Sequence, residues 1–242
     1  MLKKLSLLLL LSLIVLHTTA QSDRGVVRNL QNVDLEPFHF GFILGLNYSD
    51  YTATPSNIVD TNQQIWYPAS KGLSPGFTVG MLVDLRLFEY LNLRFTPTLG
   101  LGQRDLSFSA FSTTTDERIG NPTIISIKST TVDLPLLIKY SAERVGNYRP
   151  YLLAGAGPTI NLARSKADPI LVKPFDVQAY IGFGCDMYLE YFKLCPELKF
   201  GFGLLDSLER NHPNMQGTSN QKFIDAISRL SSRMLVLTFN FE

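Results

Sequence analysis

Apolar and polar residues alternate through FHFGFILGLNYSDY, residues 38–51. Phe38, Phe40, Phe42, Leu44, Leu46 and Tyr48 take the even positions, and His39, Gly41, Ile43, Gly45, Asn47 and Ser49 the odd ones. A period of two puts these sets on opposite faces of a β-strand, one bulky and apolar, the other small or polar. The pattern recurs along the chain. Phe77, Val79, Met81, Val83 and Leu85 oppose Thr78, Gly80, Asp84 and Arg86, and Leu91, Leu93, Phe95, Leu99 and Leu101 oppose Asn92, Arg94, Thr96 and Gly100. Val132, Leu134, Leu136, Ile138 and Tyr140 oppose Thr131, Asp133 and Lys139, with Leu137 an apolar exception. Leu152, Ala154, Ala156 and Ile160 face away from Tyr151, Gly155, Gly157 and Thr159. Ile181, Phe183, Cys185 and Met187 face away from Tyr180, Gly182, Gly184 and Asp186. Leu194, Leu198, Phe200 and Phe202 oppose Cys195, Glu197, Lys199 and Gly201, and Leu235, Leu237, Phe239 and Phe241 share a face at the end.

These segments predict eight strands joined by connections that alternate in length. Long ones are expected at about 50–74, 104–123, 163–174 and 205–233, and shorter ones at 88–90, 141–149 and 191–193. An even strand count with long connections at one end and short turns at the other is the pattern of an outer-membrane barrel. A soluble barrel of lipocalin type, apolar face inward, is the competing architecture. It should show water many Lys, Glu and Thr side chains, whereas the second face here is rich in Gly with scattered charges: Asp84, Arg86, Arg94, Asp133, Lys139, Asp186, Glu197 and Lys199. The bulky face carries no charge within the predicted spans, as lipid contact demands, since a charge at the bilayer midplane costs about 2–4 kcal/mol. Tyr48, Tyr90, Tyr140, Tyr191 and Phe241 fall near strand ends, where aromatic girdles sit. The expected fold is therefore an all-β, eight-stranded antiparallel transmembrane barrel, and its inner charges form a lumen polar network. Pro97, Pro158 and Pro196 on the outer face and Pro135 on the inner one each remove a ladder hydrogen bond, so bulges or rim positions must absorb them.

The first residues, MLKKLSLLLLLSLIVLHTTAQ, read as a secretory signal peptide over 1–20, followed by a periplasmic segment at 21–37 and the barrel at 38–242. Later apolar runs fall short of the roughly 20 residues a membrane helix needs. With 22 basic and 21 acidic residues, the charge balance gives no sign of nucleic-acid binding. The registers put Cys185 and Cys195 on opposite faces, which disfavours a disulfide. Beyond the signal peptide the histidines are His39 and His212, and the neighbours Ser207 and Glu209 do not make a triad from sequence proximity. No enzyme, metal site, cofactor or small-molecule substrate is expected. Phe223, Ile224, Ile227 and Leu230 sit at helical spacing, predicting a short amphipathic helix that caps the mouth or docks a partner.

The segment RNLQNVDLEPFHFGFILGLN, residues 28–47, resembles the start of the PorT (SprT) family of the type IX secretion and gliding system. The resemblance rests on Asn29, Leu30, Asn32, Asp34, Pro37, His39, Phe40, Gly41, Phe42, Leu44, Gly45, Leu46 and Asn47; Gln31 departs where proline is usual. It implies a non-enzymatic component, in the outer membrane of a Gram-negative bacterium, of a machine that exports proteins with C-terminal sorting signals and supports gliding adhesin delivery. Both termini would be periplasmic, and the partners would be outer-membrane lipid and other secretion-system proteins. Arg28, Asn29, Leu30, Asn32, Asp34, Pro37 and His39 are the expected partner-binding strip. The alternative is a general small barrel acting as a minor pore or adhesin.

Overall fold

The structure is a computed structural model that describes residues 27–60, 63–115, 117–163, 169–210 and 221–242. The expected signal peptide and His212 lie outside the described residues. The strands are β1 (Phe38–Pro55), β2 (Gln64–Ser70), β3 (Ser74–Arg86), β4 (Leu91–Phe95), β5 (Thr98–Ser112), β6 (Arg118–Asp133), β7 (Leu136–Ser141), β8 (Tyr148–Asn161), β9 (Phe175–Tyr188), β10 (Lys193–Gly203) and β11 (Ile227–Phe241). Antiparallel pairing runs β2-β5-β6-β8-β7-β4-β3-β1-β11-β10-β9, and β8 pairs with β9 to close the ring. Closure leaves no open edge around the belt, so backbone donors and acceptors there are satisfied within the sheet.

Three interruptions reduce these strands to eight staves. β2 and β3 are one stave, both pairing with β5 and offset around 71–73, where Gly72 supplies a φ of +112°. β4–β5 and β6–β7 are likewise single staves, broken side by side: Phe95 pairs with Leu136 and Thr98 with Asp133, leaving Pro97 and Pro135 in the gap between them. Two prolines that cannot donate thus share one break. Pro158 and Pro196 instead stay inside their ladders, opposite Val177 and Phe239.

The alternation read from the sequence matches the faces seen. In β1, Phe40 is 69 % exposed while Ile43 is 1 % exposed, and the same division holds around the ring. Phe42 stacks on Phe241 with ring centroids 4.7 Å apart, so the outer belt continues across the junction of the first and last strands.

Beyond this belt the staves extend further than expected. The anticipated connections at 50–74 and 104–123 are largely strand, because β1 runs to Pro55, β5 to Ser112 and β6 starts at Arg118. The alternation keeps its phase there but swaps its polarity. Gln103 and Lys128 face outward, while Leu106, Phe108, Ile125 and Ile127 turn inward and are buried. Together with Tyr51, Ile170, Val172, Leu208 and Leu230 they form an apolar core stacked on the belt. A strand leaving lipid for water must invert its wrapping, and this inversion hides it from a search for apolar outward residues. The predicted helix is shorter than its spacing suggests. Helix α1 (Gln221–Asp225) contributes Phe223 and Ile224 to this head core, while Ile227 and Leu230 already belong to β11. The helix therefore packs into the head. Asp206 anchors the connection before it: burial disfavours its charge, yet the Leu230 amide, Arg210 and the Leu208 amide lower its pKa.

Candidate functional site

Toward the short-turn end the inner face becomes charged. Arg94, on β4, is fully buried, and its Nε donates to Asp84 Oδ2 at 2.8 Å, Nη1 to Glu197 Oε2 at 3.0 Å and Nη2 to Glu242 Oε1 at 2.8 Å. Lys139 donates to both carboxylate oxygens of Asp186 at 2.9 and 2.7 Å. Lys199 pairs with Glu197 at 2.7 Å, and Lys193 pairs with Glu242. The Tyr151 hydroxyl donates to Glu197 at 3.0 Å, and its ring lies 4.2 Å from Lys139 Nζ. Four cations thus face four carboxylates in one cluster.

This cluster reaches every stave but the first, bracing the barrel across its bore. It contains Asp84, Arg94, Lys139, Asp186, Glu197 and Lys199 from the sequence-derived lumen set. Asp133 stands apart, accepting from Thr159 at 2.6 Å and Thr131 at 3.2 Å. Arg86 lies at the rim outside the cluster. The alternation already puts Tyr151 on the inner face, though outside the charged lumen set; Lys193 and Glu242 are not in that set, although continuing the alternation one step past each strand end puts both inward. Asp186, Cys195 and Glu242 offer three metal-ligand types in one place, yet both carboxylates are engaged by lysine or arginine, which suits an ion-pair cluster better than a cation site. Cys185 and Cys195 are both free thiols.

The waist above the cluster is lined by small polar side chains around a cavity of about 30 Å³. Thr96 Oγ1, Tyr180 OH, Arg104 Nε and Thr238 Oγ1 border it without a protein partner, and its size and polarity suit ordered water. Charge cluster, polar waist and apolar head succeed one another along the axis, and at each level buried side chains of the described residues occupy the bore.

Below the cluster the residues before β1 cross the mouth from the first stave to the far wall. Asp34 accepts from Tyr188 OH at 2.5 Å, Arg144 Nη1 at 3.3 Å and Arg149 Nη1 at 3.4 Å. The Asn29 amide donates to Asn147 Oδ1 at 3.0 Å, its side chain donates to the Tyr188 carbonyl at 3.1 Å, and Arg144 donates to the carbonyls of Asn29 and Leu30. The Arg144 guanidinium also stacks 3.6 Å over the Tyr188 ring. His39 Nε2 lies 2.7 Å from the Val33 carbonyl, which can only accept, so this nitrogen carries the proton. Of the sequence-derived strip, Asn29, Leu30, Asp34 and His39 are fastened to the barrel or to the strip itself. Pro37 accepts from the Arg86 amide at 2.9 Å, and Arg28 and Asn32 are exposed.

Replacing Asp34 with asparagine should loosen this clasp. The carboxylate is part-exposed, so a loss of about 1–2 kcal/mol is expected, seen as roughly five- to thirtyfold faster hydrogen exchange over residues 29–35 with the barrel strands unchanged. Unchanged exchange would mean that Asp34 does not hold the strip.

A closed eight-stranded ring with a lipid-compatible outer belt and a filled interior defines a membrane β-barrel. The sequence matches the family model for the outer membrane protein β-barrel domain over residues 19–209, and the chain belongs to that family. Among solved structures it is similar to the outer membrane protein OprG from Pseudomonas aeruginosa, with 10 % identity, 84 % of this chain and 92 % of that chain covered, and a TM-score of 0.39. No curated protein matches the sequence.

Proposed function

We propose that this barrel is a non-enzymatic component of the type IX secretion machinery, required for export of proteins bearing C-terminal sorting signals and contributing to gliding adhesin delivery. The short-turn end and both termini then face the periplasm. The observation carrying this reading is the segment 28–47: the residues that resemble the PorT family form one continuous unit, a strip clasped across the barrel mouth and leading directly into β1. The filled lumen supports a role in assembly or anchoring rather than as the conduit, since a bore occupied by Arg94 and its carboxylates has no room for a polypeptide. The same filling argues against a minor pore.

The test is deletion of the gene, with culture-medium and cell-surface proteins compared against the complemented strain. Proteins with sorting signals should accumulate in the periplasm. Unchanged export would withdraw the secretion assignment and leave an outer-membrane barrel of other purpose.

A further inference from the structure

Beside the clasped strip, the short-turn end carries a recess of about 210 Å³ lined by Arg28, Asp34, Leu35, Arg86, Glu89, Tyr90, Glu143, Arg144 and Arg149. Arg144 and Arg149 are committed to Asp34. Arg86 is not committed: its backbone amide bonds to Pro37, but among the described residues its half-buried guanidinium has no hydrogen-bond or ion-pair partner. The same side chain borders a second, deeper polar pocket beneath the strip, where buried His39 presents an Nδ1 with no protein partner. A planar fork of donors at a concave, protein-lined position, with no protein acceptor on it among the described residues, is suited to bidentate binding of a carboxylate.

We infer that this recess binds an acidic side chain from a partner protein segment, with Arg86 as the carboxylate-binding group and Leu35 and Tyr90 flanking it as apolar contacts. Glu89 and Glu143 on the rim favour a singly charged carboxylate over a doubly charged phosphate, because each adds repulsion that grows with ligand charge. Leu35 is 67 % exposed and Tyr90 is 40 % exposed, so both are available to a neighbouring apolar residue of the same segment. The site thus selects a glutamate or aspartate beside an aliphatic residue. Identification of that partner as a secretion-machine protein rests on the function proposed above; the binding chemistry does not.

The test uses the full chain in detergent micelles and a fluorescein-labelled peptide of alternating glutamate and leucine. Comparisons are the glutamine-for-glutamate peptide and inorganic phosphate as competitor. The glutamate peptide should bind about tenfold or more tightly than its glutamine counterpart, Arg86→Gln should lose a similar factor, and Arg86→Lys should retain part of it. Leu35→Asp, at an exposed position ahead of β1, should also weaken binding by placing a like charge in the recess. Equal binding by Arg86→Gln or by the glutamine peptide would overturn the site, as would unchanged binding by Leu35→Asp. Phosphate displacing the peptide at equal concentration would reassign it to a phosphate group. If deletion of the gene leaves export intact while the peptide still binds, the secretion reading fails and the recess stands.

Discussion

Replacing Arg94 with alanine is expected to destabilise the inserted barrel by about 3–5 kcal/mol, because it removes the cation of a buried network and leaves its carboxylates in place. Asp84, Glu197 and Glu242 all converge on that guanidinium inside the bore. Lys139, Lys193 and Lys199 remain in the Arg94→Ala protein, but each already serves a carboxylate, so four negative groups would share three cations. Arg94→Lys should fall between the two proteins. An ammonium keeps the charge but cannot address three acceptors from one planar fork. The measurement is the urea midpoint of the barrel refolded into lipid vesicles. A midpoint for Arg94→Ala within error of the original would show that the cluster fills space without bracing the wall.

The second large effect concerns the outer face. Leu44→Arg, halfway along the paired part of β1 with Val79 and Phe239 as its ladder neighbours, should cost about 2–4 kcal/mol, the expected cost of a lipid-facing cation near the midplane. Thr52→Arg, eight residues further along the same outer face and opposite Ser231, should change stability by no more than about 0.5 kcal/mol, as an exposed position surrounded by water does. The pair of substitutions places the water boundary on a single strand. Similar costs at both sites would put Thr52 in lipid too, and the head would then need a different account.

The belt was legible in the sequence because lipid on one side and a crowded lumen on the other impose opposite chemistry on alternate residues from Phe38 to Phe241. The head was not. Leu106, Phe108, Ile125 and Ile127 continue the same strands, but with apolar side chains on the inner face, so a reading tuned to outward apolar residues ends the strands early. The lumen set was recovered where charges sat within recognised strands, as with Asp84 and Lys139. Lys193 and Glu242 lie at the margins, where the alternation has one residue left to run. The clasp belongs to another category. That Asp34 meets Tyr188, 154 positions away, depends on closure of the ring and has no local signature.

The inversion of polarity between belt and head also bears on how the protein enters its membrane. The head core as a whole closes only after the hairpin tips have emerged from lipid, since Tyr51, Phe108, Ile170 and Leu230 come from four separate hairpins. Assembly of that core is therefore a late event confined to the far side. Once formed, it acts as a molecular rivet: drawing the hairpins back would require the core to be taken apart first, so insertion gains a direction that the strands within the bilayer do not supply.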